Sequence, residues 1–335
     1  MTNETVTTAH PGEPSVGDAP GRRAALLSRA GLLRDYAIVV CVLVLFVVLA
    51  ASSDTFLTST NLLNVLAGVA PTGIVAFAIT YLLIVGEFDL SAGAIFVLTG
   101  VLSAKLYKDL GVWPSILVAV AAATALGVLN GILVAYFRIN SFVCTLATSL
   151  MMAGLGLVIT KGFLLNVPDE DFAALGTNEL LGVKWSIWLL VIAALVSGFV
   201  LSRTKLGRWL YAVGGNPEAA RLSGIDVRRM KLAAFAISGF AAGVGGAIVV
   251  SRTSTGQAGD GISVVFAAFA AVVVGGTSVA GGRGAIWRTV LGVLFLALIT
   301  NGFNLLEVDV VYQNIIQGAI ILLAVGADSL SRRTG

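Results

Sequence analysis

Charge is what this chain has least of. Only 12% of its 335 residues are Asp, Glu, Lys or Arg, about half of what a soluble domain carries. A water-exposed surface of this size needs more, so an ordinary soluble globule is excluded. Histidine is nearly absent: the single His10 sits in a polar N-terminal stretch, which removes imidazole catalysis and zinc chemistry from consideration. The two cysteines, Cys41 and Cys144, lie inside apolar runs. Their spacing makes neither a disulfide framework nor a metal site, and they read as small buried hydrophobes. No G-x-x-x-x-G-K-[ST] phosphate loop occurs; Gly281-Gly-Arg-Gly284 lacks the Lys-Ser/Thr that would grip a nucleotide. A net charge of only +3 gives no footprint for nucleic acid.

What is present is apolar. Hydrophobic residues make up 57% of the chain and the mean hydropathy is +0.96. In a bilayer every backbone polar group must be satisfied internally, so only helices or closed barrels span it. Barrel strands alternate over about ten residues, whereas these runs are continuous and rich in Ala, Leu, Val and Gly. The reading is therefore an all-α polytopic membrane protein of about ten transmembrane helices. The expected spans are 36–51, 62–85, 90–107, 113–137, 142–160, 185–201, 232–251, 262–279, 286–303 and 311–327. Pro71 interrupts the second, and the glycine-flanked eighth has a re-entrant alternative. Residues 1–35 read as a disordered cytoplasmic tail with no secretory leader, 36–327 as the membrane domain, and 328–335 as a second cytoplasmic tail.

Orientation follows from the bias of Lys and Arg toward the cytoplasm. With the N-terminus inside, the outer segments hold Lys105, Lys108, Lys161, Lys184 and Arg252. The remaining sixteen of the 21 cations fall inside. An even span number keeps both termini cytoplasmic.

One inner loop, 203–231, is long. Its centre, Gly214-Gly-Asn-Pro-Glu-Ala-Ala-Arg-Leu-Ser-Gly-Ile225, reads as a short helix with marked ends. Asn216 is the N-cap, Pro217 fits the first helical position, Glu218 suits the positive end of the dipole, and Gly224 stops the helix. Leu222 and Ile225 offer a small apolar face. Such a helix either lies on the membrane surface or docks a cytoplasmic partner.

The sequence resembles the permease subunits of bacterial ABC importers in the ribose/xylose/arabinose branch. The likeness runs from about Thr55 to Ala327. It rests on Gly86-Glu-Phe-Asp-Leu-Ser-Ala-Gly93, Asn140-Ser-Phe-Val-Cys-Thr-Leu-Ala-Thr148, the long motif Thr204 to Gly224, Val274-Gly-Gly-Thr-Ser-Val-Ala-Gly-Gly-Arg-Gly284 and Asn301-Gly-Phe-Asn-Leu-Leu306. The resemblance implies that the inner helix is a coupling helix seated in a groove of the ATPase subunit. Gly215, Asn216, Pro217, Glu218, Ala219, Ala220 and Arg221 would form that contact. It implies ATP and Mg on the partner chain and no cofactor on this one. It also implies an extracytoplasmic sugar-binding protein, a second permease copy (identical or paralogous), and a place in the bacterial inner membrane. Two stretches depart from the family pattern: Val265 and Ala267 stand where an acidic pair is usual, and Trp287-Arg288 where a small residue is usual.

Ionisable groups at mid-span are nearly absent, which speaks against a proton- or ion-driven carrier. Glu87 and Asp89 lie at the inner junction of spans two and three. Asp89 caps span three with Ser91 beside it, or forms a gate contact. Asn130, Asn140, Thr145, Thr148 and Asn301 offer neutral partners to sugar hydroxyls, and Phe142 and Phe303 offer faces for stacking. Interhelical hydrogen bonds are the alternative use of each polar group. Gly127/Gly131 and Gly239/Gly243 are small pairs that let helices approach closely. A stand-alone carrier of a small neutral solute is the competing reading; a membrane enzyme has no catalytic cluster to support it.

Overall fold

The computed structural model describes residues 38–309 and, in part, 311–326. The expected tails at 1–35 and 328–335 lie outside the described residues, and the tenth span only partly within them. Twelve helices run through the described part: α1 (Ile38–Ser52), α2 (Ser59–Val85), α3 (Ser91–Leu110), α4 (Val112–Ala135), α5 (Ser141–Thr160), α6 (Glu170–Thr177), α7 (Trp185–Arg203), α8 (Lys205–Gly215), α9 (Pro217–Leu222), α10 (Val227–Thr253), α11 (Ile262–Val274) and α12 (Ile286–Leu305). Six of them (α2, α4, α5, α7, α10 and α12) are long and apolar enough to cross a membrane.

The hub is α2. Thr58 caps its start by accepting the Asn61 N–H, and left-handed Gly86 ends it. Its 27 residues extend about 40 Å, and Pro71 through Val85 are buried apart from Thr72. A helix apolar on every side belongs at the centre of a bundle. Pro71 has no N–H to offer the carbonyl four residues back. That carbonyl, on Ala67, accepts Arg252 Nη1 at 3.5 Å instead.

Around the hub, α4, α5 and α7 present aliphatic side chains outward. Leu150, Val158, Leu195 and Phe199 are each more than 60% exposed, a surface suited to lipid. The crossing of α4 and α10 is made by glycine. A methyl added to Gly239 would lie 2.9 Å from the Gly127 Cα, and one on Gly243 would lie 2.8 Å from the Ala123 Cβ. Without a hydrophobic drive between helices in lipid, such close approach supplies the attraction.

Three helices end at one face of the bundle with the same device. Glu87 N–H bonds Leu82 O behind Gly86, Ile225 N–H bonds Ala220 O behind Gly224, and Thr277 N–H bonds Val272 O behind Gly276. Each glycine is left-handed, as a Schellman stop requires. The third stop corrects the sequence expectation for span eight. Helix α11 ends at Val274 rather than 279, because Gly275-Gly276 terminate it, and 275–285 is an irregular loop. Its 13 residues reach only about 20 Å.

The opposite face carries structure the sequence reading left as loop. Asp169 caps α6 and accepts Tyr107 Oη at 2.5 Å. Strand β1 (Leu165–Asn166) pairs antiparallel with β4 (Thr255–Gly256), and β2 (Glu179–Leu180) pairs with β3 (Val183–Lys184). The β2–β3 turn places Leu181 and Gly182 both at positive φ, the geometry a two-residue hairpin favours.

Candidate functional site

The face bearing the three glycine stops also bears loop 203–231. Thr204 joins α7 to α8: its Oγ1 donates to Val200 O and accepts the Gly207 N–H. Asn216 then caps α9, its Oδ1 accepting the N–H groups of Glu218 and Ala219 at 3.0 Å each. Pro217 occupies the first helical position. Glu218 and Arg221 pair on the exposed side. Ala220 is buried and Ile225 packs into the core. Leu222, expected to share an apolar face with Ile225, is 79% exposed instead. The turn at Gly224 carries Ile225 back to the bundle and leaves Leu222 outward.

Beneath α9 lies a groove of about 1120 Å3. Its walls are the α2–α3 turn, the α4–α5 turn and residues 217–231, and it includes Asn140 and Phe142. Asn140 caps α5 through the Val143 N–H, and Phe142 is half exposed. On the groove wall Lys231 Nζ pairs with Glu87. Asp89, buried between α2 and α3, accepts the Ser91 N–H, the Ser91 hydroxyl and the Ser238 hydroxyl. Desolvation pushes its carboxyl above the ordinary value, and the bonds from Ser238 and Ser91 oppose that rise. It acts as a cap one residue earlier than the N-cap position, which Leu90 holds. Asn130 Nδ2 donates to Ser91 Oγ at 2.7 Å, and Thr145 Oγ1 accepts the Leu90 N–H at 3.1 Å. Thr148 donates to Thr145 O. These residues knit α3, α4, α5 and α10 together at one end.

A second concavity, about 670 Å3, opens among α2, α11 and α12. Among the described residues its polar lining is Asn64, Thr72, Ser263, Thr300, Asn301 and Asn304, and none of them is charged. It runs along α12 from Asn304 to Val293, roughly 16 Å. Of the Val265/Ala267 pair, where an acidic pair was expected, Ala267 stands in its wall, while Val265 is buried. At its base, a methyl on Gly292 would overlap the Ala271 carbonyl. One turn further, Thr80 and Thr289 share a buried hydrogen bond of 2.7 Å between α2 and α12.

The polar residues singled out from sequence therefore fall into two groups. Asn130, Asn140, Phe142, Thr145 and Thr148 lie at the end bearing loop 203–231. Asn301 lines the second cavity, bonded reciprocally to Asn61, and Phe303 is on the same helix outside the lining. Sequence reading missed Asn64, Thr72, Ser263 and Thr300 of the cavity, and Lys231 and Ser238 as partners of the two acids. Thr80 and Thr289 are 209 positions apart, and no local pattern relates them.

Apolar helices with an aliphatic outer surface define a multi-pass membrane protein, and the polar-lined cavity within the bundle gives room for a small solute. Residues 61–325 match the family described as branched-chain amino acid transport system / permease component, and the chain belongs to that family. It is 38% identical over 317 residues to the ribose import permease protein of Escherichia coli (strain K12), covering 92% of this chain and 97% of that one. To the ribose import permease protein of Haemophilus influenzae it is 35% identical over 295 residues, covering 87% and 91%. To the L-arabinose ABC transporter permease protein of Azospirillum brasilense it is 35% identical over 324 residues, covering 95% and 94%. No solved structure matches. The chain is thus the permease subunit of an ABC importer, a non-enzymatic multi-pass protein of the inner membrane. Permeases of such importers work with an ATPase and a binding protein.

Proposed function

We propose that this chain forms the membrane path of an importer for a monosaccharide or related polyol. The observation that carries the coupling half of this reading is α9. A six-residue helix is too short to stand alone in water, yet here it is capped at both ends and rooted by Ala220 and Ile225, with Glu218, Arg221 and Leu222 outward. That arrangement suits a knob seated in an ATPase groove, with Gly215, Asn216, Pro217, Glu218, Ala219, Ala220 and Arg221 at the contact. ATP and Mg belong to that partner, and this chain holds no cofactor. The 203–231 face is cytoplasmic, as are both termini. The ten-span count takes α1, α3, α11 and 311–327 as spans beside the six long apolar helices. The assembly contains a second permease copy and receives solute from an extracytoplasmic binding protein.

The solute path runs through the cavity among α2, α11 and α12. Its amides and hydroxyls present donors and acceptors without charge, which fits a neutral polyol; the relatives are named for ribose and arabinose. The other polar group (Asn130, Asn140, Phe142, Thr145, Thr148, with Glu87 and Asp89) flanks the cytoplasmic exit and its gate.

The test is co-purification from membranes with a candidate ATPase subunit, wild type against the double variant Glu218→Arg, Gly215→Trp. The expected result is recovery of the ATPase with wild type and its loss with the variant. Purification of the chain alone in both cases, with sugar still entering vesicles, replaces the importer with a stand-alone carrier.

A further inference from the structure

The loop that meets the ATPase approaches the helices that line the cavity most tightly at one place, where glycine packs directly on backbone. The last turn of α8 brings Gly214 so close to the end of α2 that a methyl on it would overlap the Ile84 carbonyl oxygen. The loop before α12 closes on the same place. A Cβ on Gly281 would lie 2.9 Å from Gly214 O, and one on Gly282 would lie 3.1 Å from the Gly215 Cα. Gly282 N–H donates to Ile84 O at 2.9 Å, and Tyr211 Oη donates to Gly284 O at 2.6 Å. Two residues past Gly284 the chain enters α12 at Ile286.

We propose that this junction is the joint through which movement of the coupling helix reaches the solute path, with Gly214 and Tyr211 as positioning residues. This inference rests on the importer reading above. Side-chain contacts absorb displacement by changing rotamer. Glycine against a carbonyl has no rotamer to change, and close-packed interiors transmit strain. The last turn of α8 both carries α9 and bears on α2 and the 281–284 loop. A tilt of α8 therefore moves two helices of the cavity together, and Thr80–Thr289 ties those two helices to each other. Coupling of this kind travels through contiguous rigid elements, and here the route from α9 to α2 and α12 is a single contact deep.

The experiment uses the full complex with its ATPase in nanodiscs. Spin labels are placed at Val158→Cys on α5 and Asn304→Cys on α12, with Cys41→Ser removing the exposed native thiol. The distance between labels is read without nucleotide and with ATP trapped by vanadate. In the otherwise wild-type complex the distance shifts. In Gly214→Ala the ATPase still co-purifies and hydrolyses ATP, but the shift falls to less than half. Tyr211→Phe, which adds no volume, gives a partial loss and serves if Gly214→Ala does not assemble. Gly154→Ala, whose added methyl meets nothing within 4 Å, shifts like wild type. A full shift in both Gly214→Ala and Tyr211→Phe, or an equal loss in Gly154→Ala, overturns the proposal. A wild-type chain that recruits no ATPase overturns the importer reading instead.

Discussion

Replacing Asn216 by alanine is expected to weaken ATPase binding without unfolding the bundle. The Asn216 side chain supplies the acceptor for two of the free N–H groups at the start of α9. Losing such a cap costs about 1 kcal/mol, with a range near 0.5–2. Helix α9 has six residues, so there is no second turn to absorb the loss, and nucleation from coil is steep. If the ATPase binds only the helical form, the apparent dissociation constant rises as that form is depopulated. One kcal/mol corresponds to about fivefold and two to about 30-fold. The assay is titration of detergent-solubilised permease with labelled ATPase, with thermal unfolding measured alongside. Asn216→Asp, an equally good cap, should bind within about twofold of wild type, and Asn216→Ser close to it. The reasoning is refuted if Asn216→Ala binds like wild type. It is refuted equally if Asp and Ala are both impaired to the same degree, because Asn216 would then act through a direct contact.

Two further outcomes concern stability. Lys231→Met leaves Glu87 nearly buried without its partner; breaking a buried pair costs about 3–5 kcal/mol, and the partial exposure of Lys231 reduces this to about 1–3. Adding Glu87→Gln should restore at least half of the loss, and purely additive penalties in denaturant unfolding would contradict the pairing. Gly239→Val forces apart α10 and α4 where their backbones meet, and overpacking of this sort costs about 1–3 kcal/mol or more. A drop in the unfolding midpoint is expected there and none for Gly154→Val, which faces open space; equal midpoints would remove glycine contact as the basis of that crossing.

Much of this architecture was legible because lipid imposes strong local rules. Apolar runs located α2, α4, α5, α7 and α12 to within a few residues; α10 starts at Val227, five residues before the expected 232, because Asp226 caps it through the Arg229 N–H, and capping chemistry located α9 from Asn216, Pro217 and Gly224. The helix α8 was not legible, since its glycines at 207, 214 and 215 read as a loop; its helical form depends on packing against Leu201 and Ile84. The end of α11 was misread for the opposite reason: apolar character continues past Val274, but Gly276 in a left-handed conformation overrides it. The cavity was the least legible part. Asn301 stood in a recognisable motif, whereas Asn64, Thr72, Ser263 and Thr300 come from three helices and meet only through the fold.

The Thr80–Thr289 contact has a meaning beyond holding two helices. Thr80 donates its hydroxyl hydrogen to Ala76 O at 2.9 Å, so Thr289 supplies the hydrogen between the two hydroxyls, and both residues are fully shielded from solvent. A buried polar pair with its own partners gives water no reason to thread between the helices. If the cavity is the solute path proposed above, a base closed in this way holds back water together with the solute, and an importer at rest leaves the membrane sealed.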